Sequence, residues 1–185
     1  MYFTIDFNDD GTPLSPAQYD SPESAPNPLP TGEVACTADQ YARWQDCVLA
    51  SGQVASAPAA TLLAKAQAAQ IALLSTACQS AIYAGFTSSA LGSPHNYPAN
   101  DVDQQNLSAS VLASLMPSIP ENWTTVFWCE AGGQWAFASH TATQIQQVGQ
   151  DGMAAILATK TKNQQLATQV MVATTIAAVQ AIVWG

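Results

Sequence analysis

Hydrophobic and polar positions alternate from Tyr2 to Phe7, with Phe3, Ile5 and Phe7 on one face and Tyr2, Thr4 and Asp6 on the other. A period of two predicts a half-buried strand, and Asn8-Asp9-Asp10-Gly11 closes it with turn-forming residues. Prolines then recur at 13, 16, 22, 26, 28 and 30. Proline fixes φ and removes an amide donor, so Thr12 to Gly32 is expected to be an extended, polyproline-like linker, neither helix nor central strand. Glu33 to Cys36 predicts a short strand. Thr37-Ala38-Asp39-Gln40 is a capping box, in which the threonine hydroxyl and the glutamine side chain satisfy the first free amides of a helix. Tyr41, Trp44 and Val48 follow at helical spacing and predict one amphipathic helix that Gly52 ends.

The second part of the chain has a longer rhythm. Ala57 to Ala84 predicts a long alanine-rich helix, because alanine carries no side-chain entropy cost. Its steps of three and four (Ala64, Gln67, Ile71, Leu74, Cys78, Ala81) form a seam for a helical neighbour. Gly85 stops it, and a loop is expected up to Pro98. A helix begins at Asp101, turns Leu107, Val111 and Leu115 inward and ends at Pro117. Trp123 to Phe137 predicts a β-hairpin, with Val126 and Trp128 on one face, Phe127 and Cys129 on the other, and Gly132-Gly133 as the tight turn. Thr141-Ala142-Thr143-Gln144 is another capping box. Beyond it Ile145, Gly149, Gly152, Ile156, Thr159, Asn163, Leu166, Val170, Ala173 and Ala177 keep the three–four step, either as one helix or as two broken between Thr159 and Asn163. Gly149 and Gly152 weaken a helix by about 1 kcal/mol each relative to alanine, so their place on the seam predicts close approach of a neighbour. Thr174-Thr175 opens a last short turn that ends at Trp184.

These elements amount to an α+β chain: a mainly helical body with one aromatic hairpin, and a small strand module on a proline-rich arm. The expected domains are 1–56 and 57–185. The seams fit an antiparallel intrachain pair or a multimeric coiled coil equally well.

Only 9% of the 185 residues are charged, against roughly 25% in an average globular protein. The surface is therefore mostly Gln, Ser, Thr and Asn, which fits life inside an assembly. The net charge is −9, and eight acidic residues between Asp6 and Asp46 are opposed only by Arg43. Nucleic-acid binding needs clustered cations, and Lys65, Lys160 and Lys162 make no cluster, so neither nucleic acid nor an anionic membrane surface is expected as a partner. MYFTIDFNDD lacks a basic region followed by an apolar one, so no signal peptide is expected. Polar residues interrupt every apolar stretch before the ~20 residues of a spanning helix. Cys36, Cys47, Cys78 and Cys129 are widely spaced and predict reduced, buried thiols.

Candidate chemistry is sparse. Asp6-x-Asn8-x-Asp10-Gly11 matches the front of a calcium loop, but its twelfth position is Ala17, and a turn explains Asn8, Asp10 and Gly11 without a metal. Asp101 and Asp103 suit the first turn of a helix better than an acid–base couple. His95 and His140 have no nucleophile motif beside them, and Gly132-Gly133 lacks the context of a phosphate loop. No catalytic residue, metal or cofactor is expected. A glycan hydrolase would need two placed carboxylates, for which the helical half offers Asp101, Asp103, Glu121, Glu130 and Asp151. The aromatic residues are the better lead: Tyr41, Trp44, Phe127, Trp128 and Trp135 are the candidate protein-binding side chains, because tryptophan and tyrosine dominate interface energies.

Several words of the chain are specific in combination: ALGSPHNYP at 90–98, DQQNL at 103–107, the Trp123/Phe127-Trp128-Cys129/Trp135 hairpin and HTATQIQQVGQDG at 140–152. Together, from about Ala81 to Trp184, they resemble a small domain of no assigned role in tailed-bacteriophage proteins encoded beside tail-fibre genes. The front, Val34-x-Cys36-Thr37-x-x-Gln40-Tyr41-x-x-Trp44, is faintly similar to phage tail fibre assembly chaperones. The resemblance implies a viral protein that binds the tail fibre, as an assembly chaperone in the host cytoplasm or as a part retained on the virion tail. A homo-oligomer is compatible with it.

Overall fold

The amino-terminal alternation builds a strand, β1 (Tyr2–Phe7), flanked on both sides by antiparallel partners. The computed structural model describes all residues, Met1–Gly185, which fall into two compact units, Met1–Ala66 and Gln67–Gly185. Helices make up 46% of the chain and antiparallel strands 25%, so the class is mixed α+β.

In the first unit β1 is central, between β2 (Pro13–Tyr19) and β3 (Glu33–Cys36). The expected linker is thus partly a strand. Pro13 and Pro16 are tolerated because β2 lies at the sheet edge, where a missing amide breaks no ladder. Being central also buries Thr4 on the face expected to be open, where its hydroxyl donates to the Glu33 carboxylate. The Asn8–Thr12 segment is a hydrogen-bonded turn: Asn8 Oδ1 accepts from the Thr12 amide at 2.9 Å, as does Asp10 Oδ1 at 2.9 Å. Turn hydrogen bonds thus occupy Asn8 and Asp10 of the calcium-like pattern.

The Thr37 capping box forms, with Gln40 N donating to Thr37 Oγ1 at 3.1 Å and Thr37 N to Gln40 Oε1 at 2.9 Å. The helix it starts, α1 (Ala38–Ala42), is short. The helical stripe expected through Val48 is overturned: a 3₁₀ turn at Trp44–Asp46 leads into a hairpin, β4 (Cys47–Ala50) and β5 (Gln53–Ser56). Ser51 and Gly52 both take positive φ, as a two-residue hairpin turn demands, so Gly52 is a turn residue and not a helix stop. Cys47, Ile5 and Phe7 form the buried centre, joined by Trp44, Leu49 and Val54.

Helix α2 (Ala59–Tyr83) follows, and its second half buries Leu74 and Cys78 on the expected seam. The stretch expected as loop contains two short strands, β6 (Phe86–Ser88) and β7 (His95–Tyr97). Helix α3 (Asp101–Ser114) is capped by Asn100, whose Oδ1 accepts from the amides of Val102 (3.0 Å) and Asp103 (3.1 Å). The hairpin is β8 (Thr124–Ala131) and β9 (Gln134–Thr141), and with β6 and β7 it completes a sheet in the order β6-β7-β8-β9.

Helix α4 (Ala142–Val172) starts at the Thr141 box and runs unbroken through Thr159 and Asn163. Gln67 Nε2 caps its far end, donating to the carbonyls of Val170, Met171 and Ala173 at 3.1, 3.2 and 3.1 Å. A last short helix, α5 (Ile176–Gln180), is capped by Thr175. The core of this unit gathers Phe86, Tyr97, Leu107, Phe127, Cys129, Ile145 and Val148, where β6, β8 and β9 touch α4.

Candidate functional site

The hairpin is built by its turn. Gly132 and Gly133 have φ of 58° and 81°, the double positive φ of a type I′ turn that few other residues tolerate. A two-residue turn sets the register, pairing Trp128 with Phe137 and Glu130 with Trp135. Glu130 secures it, accepting from the Gly133 amide and from the Asn96 side chain. Successive side chains alternate faces. Phe127 and Cys129 point into the core, and Val126 and Trp128 point to solvent.

The outward face is a ridge of aromatic and branched side chains. The indoles of Trp128 and Trp135 stack at 6.1 Å and 16°, and Phe137 meets Trp128 edge-on at 4.9 Å and 62°. Trp128, Trp135, Phe137 and Val126 keep 40%, 47%, 69% and 63% of their surface exposed. Contiguous apolar surface of this kind marks contact sites in soluble proteins. Beside it, between the hairpin and α3, runs a groove of about 330 Å³ lined by Asp103, Asn106, Ser110, Val126, Trp128 and Phe137.

The five sequence candidates separate in the structure. Trp128 and Trp135 come together on the ridge. Phe127 is a correction: only 7% exposed, it lies beneath the sheet because the strand alternation that exposes Trp128 turns its neighbour inward. Tyr41 and Trp44 are half-buried in the first unit, Tyr41 at 4.8 Å from the Phe3 ring and Trp44 against the Ile5 cluster, so most of each serves packing. Val126 and Phe137 belong to the ridge although the sequence reading did not choose them. The turn register was the available signal, since pairing across Gly132-Gly133 puts Phe137 opposite Trp128.

Several titratable groups of this unit are held inside or hydrogen-bonded. Tyr97 and His140 are fully buried, with the tyrosine hydroxyl donating to His140 Nε2 at 2.8 Å and His140 Nδ1 donating to the Ala138 carbonyl at 3.0 Å. Burial pushes the Tyr97 phenol far up, pushes the Cys129 thiol up and holds the His140 imidazole below its usual value. Asp151 accepts from Ser88 at 2.6 Å and from Gln147 at 2.8 Å. No three His, Cys, Asp or Glu side chains converge as metal ligands, and no helix is long and apolar enough to cross a membrane.

Residues 65–183 match the family model described as a domain of unknown function, DUF4376. The chain belongs to the DUF4376 family. The DUF4376 span contains α3, the hairpin with its ridge, and α4. No curated protein and no solved structure matches the chain.

Proposed function

We propose that this DUF4376 protein is a stoichiometric binder without enzymatic activity, and that its ridge docks on a protein partner, the tail fibre of a tailed bacteriophage. The exposed stack of Trp128 and Trp135 with Phe137 edge-on carries this reading, because these side chains and Val126 share one sheet face and keep 40–69% of their surface exposed. Rigid aromatic side chains lose little entropy on docking and dominate binding energies. The fibre context comes from the family words quoted above. The helical body serves as a stiff carrier for the hairpin. A protein of this kind needs no cofactor, nucleic acid or membrane, and works in the host cytoplasm during assembly or on the virion tail.

An assembly chaperone covers a fibre surface and leaves, whereas an accessory part stays. Mass spectrometry of purified particles separates them: absence supports the chaperone, a fixed ratio to the fibre supports the part. Capture of the neighbouring fibre gene product by the tagged full chain tests the reading as a whole. Wild type should retain the fibre, and Trp128→Ala/Trp135→Ala should lose it. Failure of wild type to retain the fibre, or equal retention by the double variant, sinks the proposal. A tail-associated glycan hydrolase is the rival. Glu130 and Asp151, two of its five candidate carboxylates, are tied up in the hydrogen bonds described.

A further inference from the structure

Asp103 lines the groove beside the ridge. Asp103 Oδ2 is shielded from water and has no hydrogen-bond partner. A buried carboxylate oxygen without a donor is costly, and the cost is removed when a donor arrives. No cation pairs with Asp103: the ion pairs of the chain are Arg43–Asp39 and Lys65–Asp46. Lys160 lines a different groove, between α3 and α4, and Lys162 sits over the Trp184 ring at 4.8 Å. The groove therefore joins an unpaired carboxylate to two exposed aromatic rings, Trp128 and Phe137, with the amide of Asn106 and the hydroxyl of Ser110 alongside.

We propose that this groove receives an arginine side chain from a polypeptide partner, a claim that rests on the docking reading above and names the chemistry of its partner. A guanidinium is planar, stacks on aromatic faces and presents donors in a fork that fits a carboxylate. The terminal torsion of aspartate is soft, so the Asp103 carboxylate can turn its orphan oxygen toward the incoming N–H. Asn106 and Ser110, which also line the groove, carry oxygens that can accept further N–H groups. Lysine would bring charge without the planar face. A partner segment that is only apolar would leave Asp103 unsatisfied.

The test uses the ¹⁵N-labelled full chain and a blocked hexapeptide of alternating glycine and arginine. Its control carries citrulline, a neutral isostere, in place of arginine. The arginine peptide should shift the indole N–H signal of Trp128 and bind about tenfold or more tightly than the citrulline peptide, the difference one charged hydrogen bond makes. Asp103→Asn should erase that preference with an unchanged unfolding midpoint, and added salt should weaken only the arginine peptide. Equal binding of the two peptides, no shift at millimolar peptide, or an undiminished preference in Asp103→Asn overturns the proposal. Fibre capture by Asp103→Asn separates the two readings. If the fibre is retained while the peptide preference fails, docking on the ridge stands and the arginine claim falls. If the arginine peptide binds but wild type never retains the fibre, the reverse holds.

Discussion

Phe86 packs so closely on Gly152 that a β-carbon at residue 152 would meet the ring Cζ at 2.8 Å, just as one at Gly149 would meet Val111 Cγ2 at 2.7 Å. The two glycines weaken α4 locally and in return let β6 and α3 approach its backbone. Gly152→Ala gains about 1 kcal/mol of helix propensity and loses more to displacement of a buried ring, since overpacking costs about 1–3 kcal/mol. We expect net destabilisation of about 1 kcal/mol in urea unfolding. Gly149→Ala should behave alike and be rescued by Val111→Ala, which removes the clashing methyl. An unchanged or higher midpoint for Gly152→Ala would show that the ring moves freely.

Stability and binding should separate on the two faces of the hairpin. Phe127→Ala removes a core aromatic and should cost about 3–5 kcal/mol. Trp128→Ala should cost about 1 kcal/mol or less, the worth of a cross-strand pair, yet abolish capture of the fibre. Chemical unfolding and capture on the same samples read both. If Trp128→Ala unfolds the protein as readily as Phe127→Ala, the ridge is a structural element and not a docking face.

How legible these features were depends on what set them. The hairpin could be read in outline, because its alternation and the Gly132-Gly133 turn are local, but its second strand runs past Phe137 to Thr141 and Phe127 is buried. The capping boxes at Thr37 and Thr141, and the tight approach at Gly149 and Gly152, are also sequence-local signals. Strands β6 and β7 escaped because each is only three residues long and owes its existence to neighbours across the sheet. The Trp44–Val48 stripe misled for a related reason: three apolar positions at helical spacing also satisfy a turn followed by a strand, and burial of Cys47 decides between them. Asp103 was rightly placed in a first helical turn. That it also faces an aromatic groove follows from the packing of α3 beside the hairpin, which no spacing encodes.

The thiols give a check on burial. Cys47, Cys78 and Cys129 are buried and Cys36 is half-buried, and all four are free. Burial pushes the thiols of Cys36, Cys47 and Cys129 up, so little thiolate is present near neutrality. Under native conditions at pH 7.5 a disulfide reagent should react first at Cys36, and at least about tenfold more slowly than in denaturant, where all four titrate. Rapid labelling of Cys129 in the native protein would mean that the sheet does not close over it as described.

His140 makes an acid-side prediction. Its ordinary value is 6.5, and the fold lowers it, first by burial and secondarily by the charge of His95, against the favourable Ala138 carbonyl. The unfolded chain therefore takes up a proton near pH 6.5 while the folded chain resists until lower pH. In that window the unfolded state binds more protons, so stability falls as pH drops below 6.5 and is flat with respect to this group above it. Urea midpoints should be lower at pH 5 than at pH 7.5, a range that lies above the usual carboxylate titrations. His140→Gln keeps an acceptor for the Tyr97 hydroxyl and cannot titrate. It should lower the midpoint at pH 7.5 by disturbing the packing, yet flatten the change between pH 7.5 and pH 5. A His140→Gln variant with the same acid slope as wild type would assign the pH dependence to other groups.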